Sequence, residues 1–296
     1  MAERKKPRCS CALLLVAFVI CFALASVDAF WWESRHPQLT TYDVALPGLP
    51  VEQDGFRIFQ ISDPHRRSAS FDPVIRRAVE LANSTSPDVV VLTGDFAGRA
   101  PENYEPCVAL LSEARGRLGS FTVLGNHDHW AGREHTEQAL RAHNLPLLDN
   151  SNVELAPGLW LAGIDDEWAG KPDEARTLAG IPAGQALVVL AHNPKSSKRF
   201  LNVPCLIISG HTHGGQVQLP PIPRNKLPGL LGSKWVEGWY QEGKALLYVN
   251  RGLGMVSPMI RLPGGLMVTP TVRFLCRSEV TLYVLHPGQG EPQVQR

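Results

Sequence analysis

Seven residues in five short blocks have the side-chain types that bind divalent cations: Asp63 with His65, Asp95, Asn126, His192, and His211 with His213. Two carboxylates, four imidazoles and one amide oxygen exceed what a single cation can use while it still binds a substrate, since a tetrahedral zinc takes three or four ligands. Two cations about 3.5–4 Å apart can use all seven if one carboxylate bridges them. Asp95, at the end of the second expected strand, is the bridging candidate. Nitrogen and oxygen donors without sulfur suit Mn, Fe, Zn or Co. His211 and His213 stand at i and i+2, which in an extended segment turns both rings to one side. A pair of cations lowers the pKa of a shared water, so that hydroxide forms near neutral pH, and neutralises charge on a phosphoryl group. The implied reaction is phosphoester hydrolysis. A leaving alkoxide then needs a proton, and His127, with the carboxylate of Asp128 to raise and orient its imidazole, is the candidate general acid.

The surrounding sequence explains how distant blocks could meet. Short runs rich in Val, Ile and Leu lead directly into these residues: 56–62 into Asp63, 88–93 into Asp95, 121–124 into Asn126, 186–190 into His192 and 206–208 into His211. Further runs at 159–164 and 244–249 lead into Asp165-Asp166 and Asn250-Arg251. Continuous apolar strands mark sheets covered on both faces. Helices are expected from Asp72-Pro73 onward, where Ile75, Ala78, Val79 and Ala82 recur at helical spacing, and over 102–115 and 133–143. Alternating strand and helix argues an α/β domain, whose ligands gather at the carboxyl ends of strands. Asp165 and Asp166 read as turn residues, His129 as a neighbour of the 125–128 block, and Trp235, Trp239 and Tyr240 as packing. His36, His135, His143 and His286 read as surface or core histidines.

Composition bounds the function. The chain has 296 residues, 44% apolar and 19% charged, and a net charge of +1. Residues 1–8 contribute +3 through Arg4, Lys5, Lys6 and Arg8 against Glu3, which leaves −2 for the rest. No broad basic face follows, so no nucleic-acid partner is expected. Residues 9–27 carry no charge and, with the preceding basic cluster, read either as a single-pass anchor or as a cleavable signal, with Ala23-Leu24-Ala25 as a cleavage-like stretch. Phe30, Trp31 and Trp32 fall where an interfacial aromatic belt would lie. Both readings keep the positive end inside and export the remainder. The expected organisation is therefore an anchor or signal over 1–32, a linker and edge strand over 33–54, a catalytic domain over 55–286 and a flexible tail over 287–296. Six scattered cysteines without a C-x-x-C suggest neither a thiolate metal site nor a disulfide framework.

Taken in order, Asp63-x-His65, Gly94-Asp95, Gly125-Asn126-His127-Asp128, His192 and Gly210-His211-Thr212-His213 resemble the calcineurin-like metallophosphoesterases. The stretches 162–173, 210–216 and 248–254 are similar to the bacterial membrane-associated phosphodiesterase branch of that family, the YkuE-like branch. The resemblance implies a four-layer α/β/β/α sandwich with two facing mixed sheets. It implies one metal on Asp63, His65, Asp95 and His213 and a second on Asp95, Asn126, His192 and His211, with His127 as general acid and Asp128 as its partner. The chain departs from the family in the Arg66-Arg67 pair after His65 and in a long approach, 255–272, to Arg273-Phe274. Arg66, near a phosphate, and Arg251, at the rim, are candidate substrate contacts. The apolar segments 227–232 and 255–268 raise a lipid-linked phosphoester as an alternative substrate, and a non-catalytic scaffold on the same fold is the remaining reading.

Overall fold

In the computed structural model the described residues are 11–27, 32–98, 100–218, 234–256, 260–261, 267–268, 272–288, 290 and 293–294. Strands form where the apolar runs are continuous. Their order is β1 (Gln38–Leu46), β2 (Phe56–Ile61), β3 (Val89–Leu92), β4 (Ser120–Thr122), β5 (Ser151–Ala156), β6 (Leu159–Gly163), β7 (Ala186–Leu190), β8 (Leu206–Ser209), β9 (Gly238–Glu242), β10 (Ala245–Val249), the small ribbon β11 (Ile260–Arg261) and β12 (Met267–Val268), β13 (Glu279–Pro287) and β14 (Gln293–Val294). The helices are α1 (Cys11–Val27), α2 (Glu33–Arg35), α3 (Asp72–Thr85), α4 (Tyr104–Leu111), α5 (Asn126–Trp130), α6 (Arg133–Ala142) and α7 (Glu174–Leu178).

Two six-stranded mixed sheets result, one ordered β14-β1-β13-β2-β3-β4 and the other β5-β6-β7-β8-β10-β9. Side chains alternate between faces along each strand, and both faces are apolar. Phe56 and Ile58 of β2, Val89 and Val91 of β3, Val188 of β7, and Leu206 and Ile208 of β8 fill the space between the sheets. Phe59 and Ile61, with Val90 and Leu92, face α3, α4 and α6 through Ile75, Ala78, Val108, Leu111 and Leu140. Leu187, Val189, Ile207 and Leu247 face outward on the second sheet, against Phe200, Trp235 and Leu178. Each such side chain, fully withdrawn from water, contributes about 1.5–3 kcal/mol. The four-layer α/β/β/α order follows, although the layer outside the second sheet is built of short pieces: α7 and a 3-10 segment at Pro194–Arg199.

The expectation for the edge strand and the tail changes. β1 is not an edge strand: it pairs in parallel with β13 over nine residues, and β14 closes its other side through Tyr42–Val294 and Asp43–Gln293. That pairing takes up part of the 287–296 segment expected to be a free tail and covers backbone groups that an edge would leave open. Asp72 is the first residue of α3, and its carboxylate turns to Arg66. Within the apolar N-terminal run α1 forms with exposed Leu13, Leu14, Phe18 and Ile20; no helix among the described residues is long and apolar enough to cross a membrane. The basic cluster at 4–8, Phe30, Trp31, the segment 227–232 and most of 257–268 lie outside the described residues. Cys107, Cys205 and Cys276 are buried free thiols.

Candidate dinuclear metal centre

All five ligand-bearing loops leave the carboxyl ends of strands: Asp63 and His65 follow β2, Asp95 follows β3, Asn126 starts α5 after β4, His192 follows β7, and His211 and His213 follow β8. The first three loops belong to one sheet and the last two to the other, so the site straddles the seam between them. The turns are sharp. Asp63, His65, Asp95, His211 and His213 all have positive φ, between 45° and 75°. Such backbone costs of order 1 kcal/mol or more for each non-glycine residue and persists only where its surroundings enforce it. Here Asp63 N–H donates to Gly94 O and His65 N–H to Asp95 O, both at 3.1 Å, and His211 N–H donates to the Asp63 carboxylate at 3.0 Å. The glycines of the motifs have a steric cause. A Cβ on Gly125 would overlap the Asp95 carboxylate, and one on Gly210 would overlap Ser62 Oγ and the Asp63 carboxylate.

Two groups of ligating atoms converge. In the first, His65 Nε2 lies 3.2 Å from His213 Nε2, and Asp63 Oδ1 lies 3.4 Å from His213 Nε2 and 3.9 Å from His65 Nε2. In the second, His211 Nδ1 lies 3.2 Å from His192 Nε2. Asp95 Oδ2 touches both groups, 3.2 Å from His65 Nε2 and 3.3 Å from His192 Nε2. Its other oxygen accepts from His127 N–H at 2.9 Å, which fixes the carboxylate plane. Asn126 Oδ1 is buried and has no hydrogen-bond partner among the described residues. An orphaned amide oxygen and facing imidazole nitrogens are what a cation site presents when its ligands are counted without the cation. The residues therefore fit divalent metal.

The protonation states of His211 and His213 agree. Burial holds the His213 imidazole well below its ordinary pKa, and burial with the neighbouring His192 charge lowers that of His211 to about 3, so both are neutral donors. For His192 burial also opposes charge, but the Asp95 carboxylate outweighs it and raises the pKa well above normal. His192 Nδ1 is anchored to Thr93 O at 2.7 Å, which leaves Nε2 aimed at Asp95. This backbone contact orients the ligand from behind.

The structure brings the ligating atoms of six expected residues (Asp63, His65, Asp95, His192, His211 and His213) and His127 within 4.8 Å of one another in three overlapping groups, and Asn126 directly precedes His127 at the start of α5. The His127 ring stands against His65 at 4.7 Å between centroids and against Trp130 at 5.1 Å. It does not pair with Asp128 as expected. The Asp128 carboxylate instead accepts three backbone N–H groups, from Gly125 at 2.7 Å, Asp95 at 2.8 Å and Phe96 at 3.0 Å. As the third residue of a short helix it reaches back to cap that helix and to tie β3's exit to β4's. Burial pushes its carboxyl up to about 7. Replacing Asp128 with alanine strands three buried donors, each costing about 1–3 kcal/mol. Thermal denaturation of Asp128→Ala is expected to show a Tm lower by roughly 6 °C or more; an unchanged Tm would contradict this role.

The two arginines also differ from expectation. Arg66 pairs with Asp72 at 2.7 Å and donates to Asn103 at 2.7 Å; Arg251 pairs with Glu279 at 3.0 Å. Both guanidinium groups are spent on carboxylates inside the fold and not aimed at a phosphate. Asp165 and Asp166 serve turns, as expected: Asp166 Oδ1 accepts from Trp168 N–H at 2.9 Å and Ala169 N–H at 2.8 Å. Sequence reasoning missed Arg273. Fully buried, it donates to the carbonyls of Arg251, Gly252, Gly254, Cys276 and His213, and so secures the loop that carries His213. An arginine near the chain's end gives no local sign of this.

With this geometry in hand, the relationships are clear. Residues 56–215 match the calcineurin-like phosphoesterase family, and the chain belongs to it. It is 31% identical over 275 residues to the uncharacterized metallophosphoesterase YkuE of Bacillus subtilis, covering 87% of this chain and 88% of that one. It is 29% identical over 298 residues to the UDP-2,3-diacylglucosamine pyrophosphatase LpxG of Chlamydia muridarum, covering 81% and 90%. A bovine transmembrane protein with a metallophosphoesterase domain is 30% identical over 86% of this chain and 61% of its own length. The protein is a phosphoester hydrolase with residues suited to divalent metal.

Proposed function

We propose that the chain is a dinuclear metal-dependent hydrolase of phosphodiester or pyrophosphate bonds. The observation that carries this is Asp95 Oδ2, within 3.3 Å of an imidazole in each of two separate ligand groups. Asp63, His65, His213 and Asp95 would hold one cation, and Asp95, Asn126, His192 and His211 the other. Two bound cations would supply an activated water and charge neutralisation at the phosphoryl oxygens. The chain's own residues do the rest. Neutral His211 and His213 donate lone pairs, Thr93 O and the His127 N–H fix the orientations of His192 and Asp95, and His127, beside His65 and partly open to solvent, gives a proton to the departing oxygen.

A lipid-linked ester is favoured as the natural substrate. The Chlamydia relative is named for a pyrophosphatase that acts on a diacylated nucleotide sugar, and the exposed apolar helix α1 suits a lipid surface. On this reading α1 and the basic residues before it hold the chain at the membrane with the catalytic domain on the exported side.

The test is hydrolysis of bis-p-nitrophenyl phosphate by the purified protein. Turnover is expected with Mn²⁺, with loss on EDTA treatment and recovery on Mn²⁺ addition. A protein that cleaves neither this diester nor a pyrophosphate with any of Mn²⁺, Fe²⁺, Zn²⁺ or Co²⁺ would support the non-catalytic scaffold instead.

A further inference from the structure

Two indole rings stand half in water at the mouth of the metal centre. Trp130, the last residue of α5, is 54% exposed and packs one side on the His127 ring at 5.1 Å. Trp168, in the loop after β6, is 47% exposed and meets the His211 ring edge-to-face at 4.5 Å. One ring therefore borders the proton donor and the other borders the second ligand group. An indole offers 150–250 Å² of surface whose burial is favourable, and neither of these is withdrawn into a core, unlike Trp235.

The loops that carry them come from different sheets and are bolted together. His129, next to Trp130, contacts Asp165 Oδ1 through Nε2 at 2.7 Å. Asp165 further accepts from Lys171 N–H at 2.7 Å and lies 3.5 Å from Arg133. Its neighbour Asp166 holds the Trp168 backbone. Despite their burial, the charges support one another: His129 is raised from its ordinary pKa by Asp165, and Asp165 is lowered to about 2 by His129 and its backbone donors. A fixed chain of contacts thus runs Trp130–His129–Asp165–Asp166–Trp168 and ties together the two loops that carry the rings.

We propose that Trp130 and Trp168 are stacking walls that seat a planar nucleobase, so that the preferred ester carries a nucleotide. This rests on the hydrolase reading above and narrows its substrate class. A flat indole face stacks on any base, with a contribution that corresponds to about fivefold or more in affinity per contact. An acyl chain is the poorer occupant of these walls, because the same loops carry Arg133, Lys171 and Glu167, the last paired with Arg199 of the Pro194–Arg199 segment, and it would desolvate their charges. His129 and Asp165 act as positioning residues for the walls.

The test measures binding of uridine 5′-monophosphate, adenosine 5′-monophosphate, ribose 5-phosphate, octyl phosphate and inorganic phosphate to the Mn²⁺-loaded protein, by calorimetry and by quenching of tryptophan fluorescence. The nucleotides are expected to bind about tenfold or more tighter than ribose 5-phosphate and to quench fluorescence. Trp130→Ala and Trp168→Ala should each lose most of that advantage, with phosphate and ribose 5-phosphate affinities unchanged, and Trp→Phe at either position should keep it. Equal binding of ribose 5-phosphate and the nucleotides, or an octyl phosphate advantage that depends on both tryptophans, would overturn the proposal and leave the hydrolase reading intact. Failure of phosphate itself to bind would overturn both.

Discussion

Asp95→Ala is expected to reduce hydrolysis by about 10³-fold or more while the protein stays folded. The carboxylate's Oδ2 lies within 3.3 Å of an imidazole nitrogen in each ligand set, and the Lewis-acid contribution that the carboxylate would support is worth several kcal/mol. Its loss also leaves the His127 N–H without the acceptor it has at 2.9 Å. Asp95→Asn separates these effects, because an amide oxygen can still accept from that N–H but no longer brings negative charge between two cations. Metal content should fall in both variants, with far-UV circular dichroism unchanged in Asp95→Asn. Near-normal turnover by Asp95→Asn would refute the bridging role.

The second large effect concerns His127. Its ring lies beside His65 at the open side of the centre and its main chain is fixed at both ends, with N–H on Asp95 and C=O accepting from Tyr104 Oη at 3.0 Å. His127→Ala should therefore leave metal binding intact. Turnover of substrates with an alkoxide leaving group should fall about 10²–10⁴-fold, the usual contribution of general acid catalysis. A p-nitrophenyl ester, whose leaving group departs as a stable anion, should lose far less. An equal loss on both substrates would assign His127 to the ligand set, since its ring nitrogen lies within 4.8 Å of ligating atoms of His65 and Asp95.

The ligand blocks were legible in the sequence because most of them closely follow a strand that is apolar on both faces, such as β2, β3, β7 and β8, so position in the chain translates into position at a sheet's end. β7 was readable to its last residue for that reason. β13 was not, because its central place between β1 and β2 depends on pairing with residues more than 220 positions away, and nothing in its own composition distinguishes a centre from an edge. Short polar side chains were the hardest to aim. Asp128 adjoins His127 in sequence, but a carboxylate at the third position of a helix reaches the backbone amides behind it more easily than the ring beside it. Arg66 and Arg251 were misread because Asp72, Asn103 and Glu279 claim their guanidinium groups only once the loops have folded. The exposure of Trp130 and Trp168 was equally hidden, since an aromatic residue next to a metal motif reads the same whether it is packed or open.

The dinuclear account is tested most directly by counting metal. Mn²⁺ titrated into the metal-free protein and followed by calorimetry and elemental analysis should saturate at two equivalents per chain. His213→Ala should lose the cation held with Asp63 and His65 and keep the one held with His192 and His211. Saturation of the unaltered protein at a single equivalent, under conditions in which it hydrolyses a phosphodiester, would contradict the account.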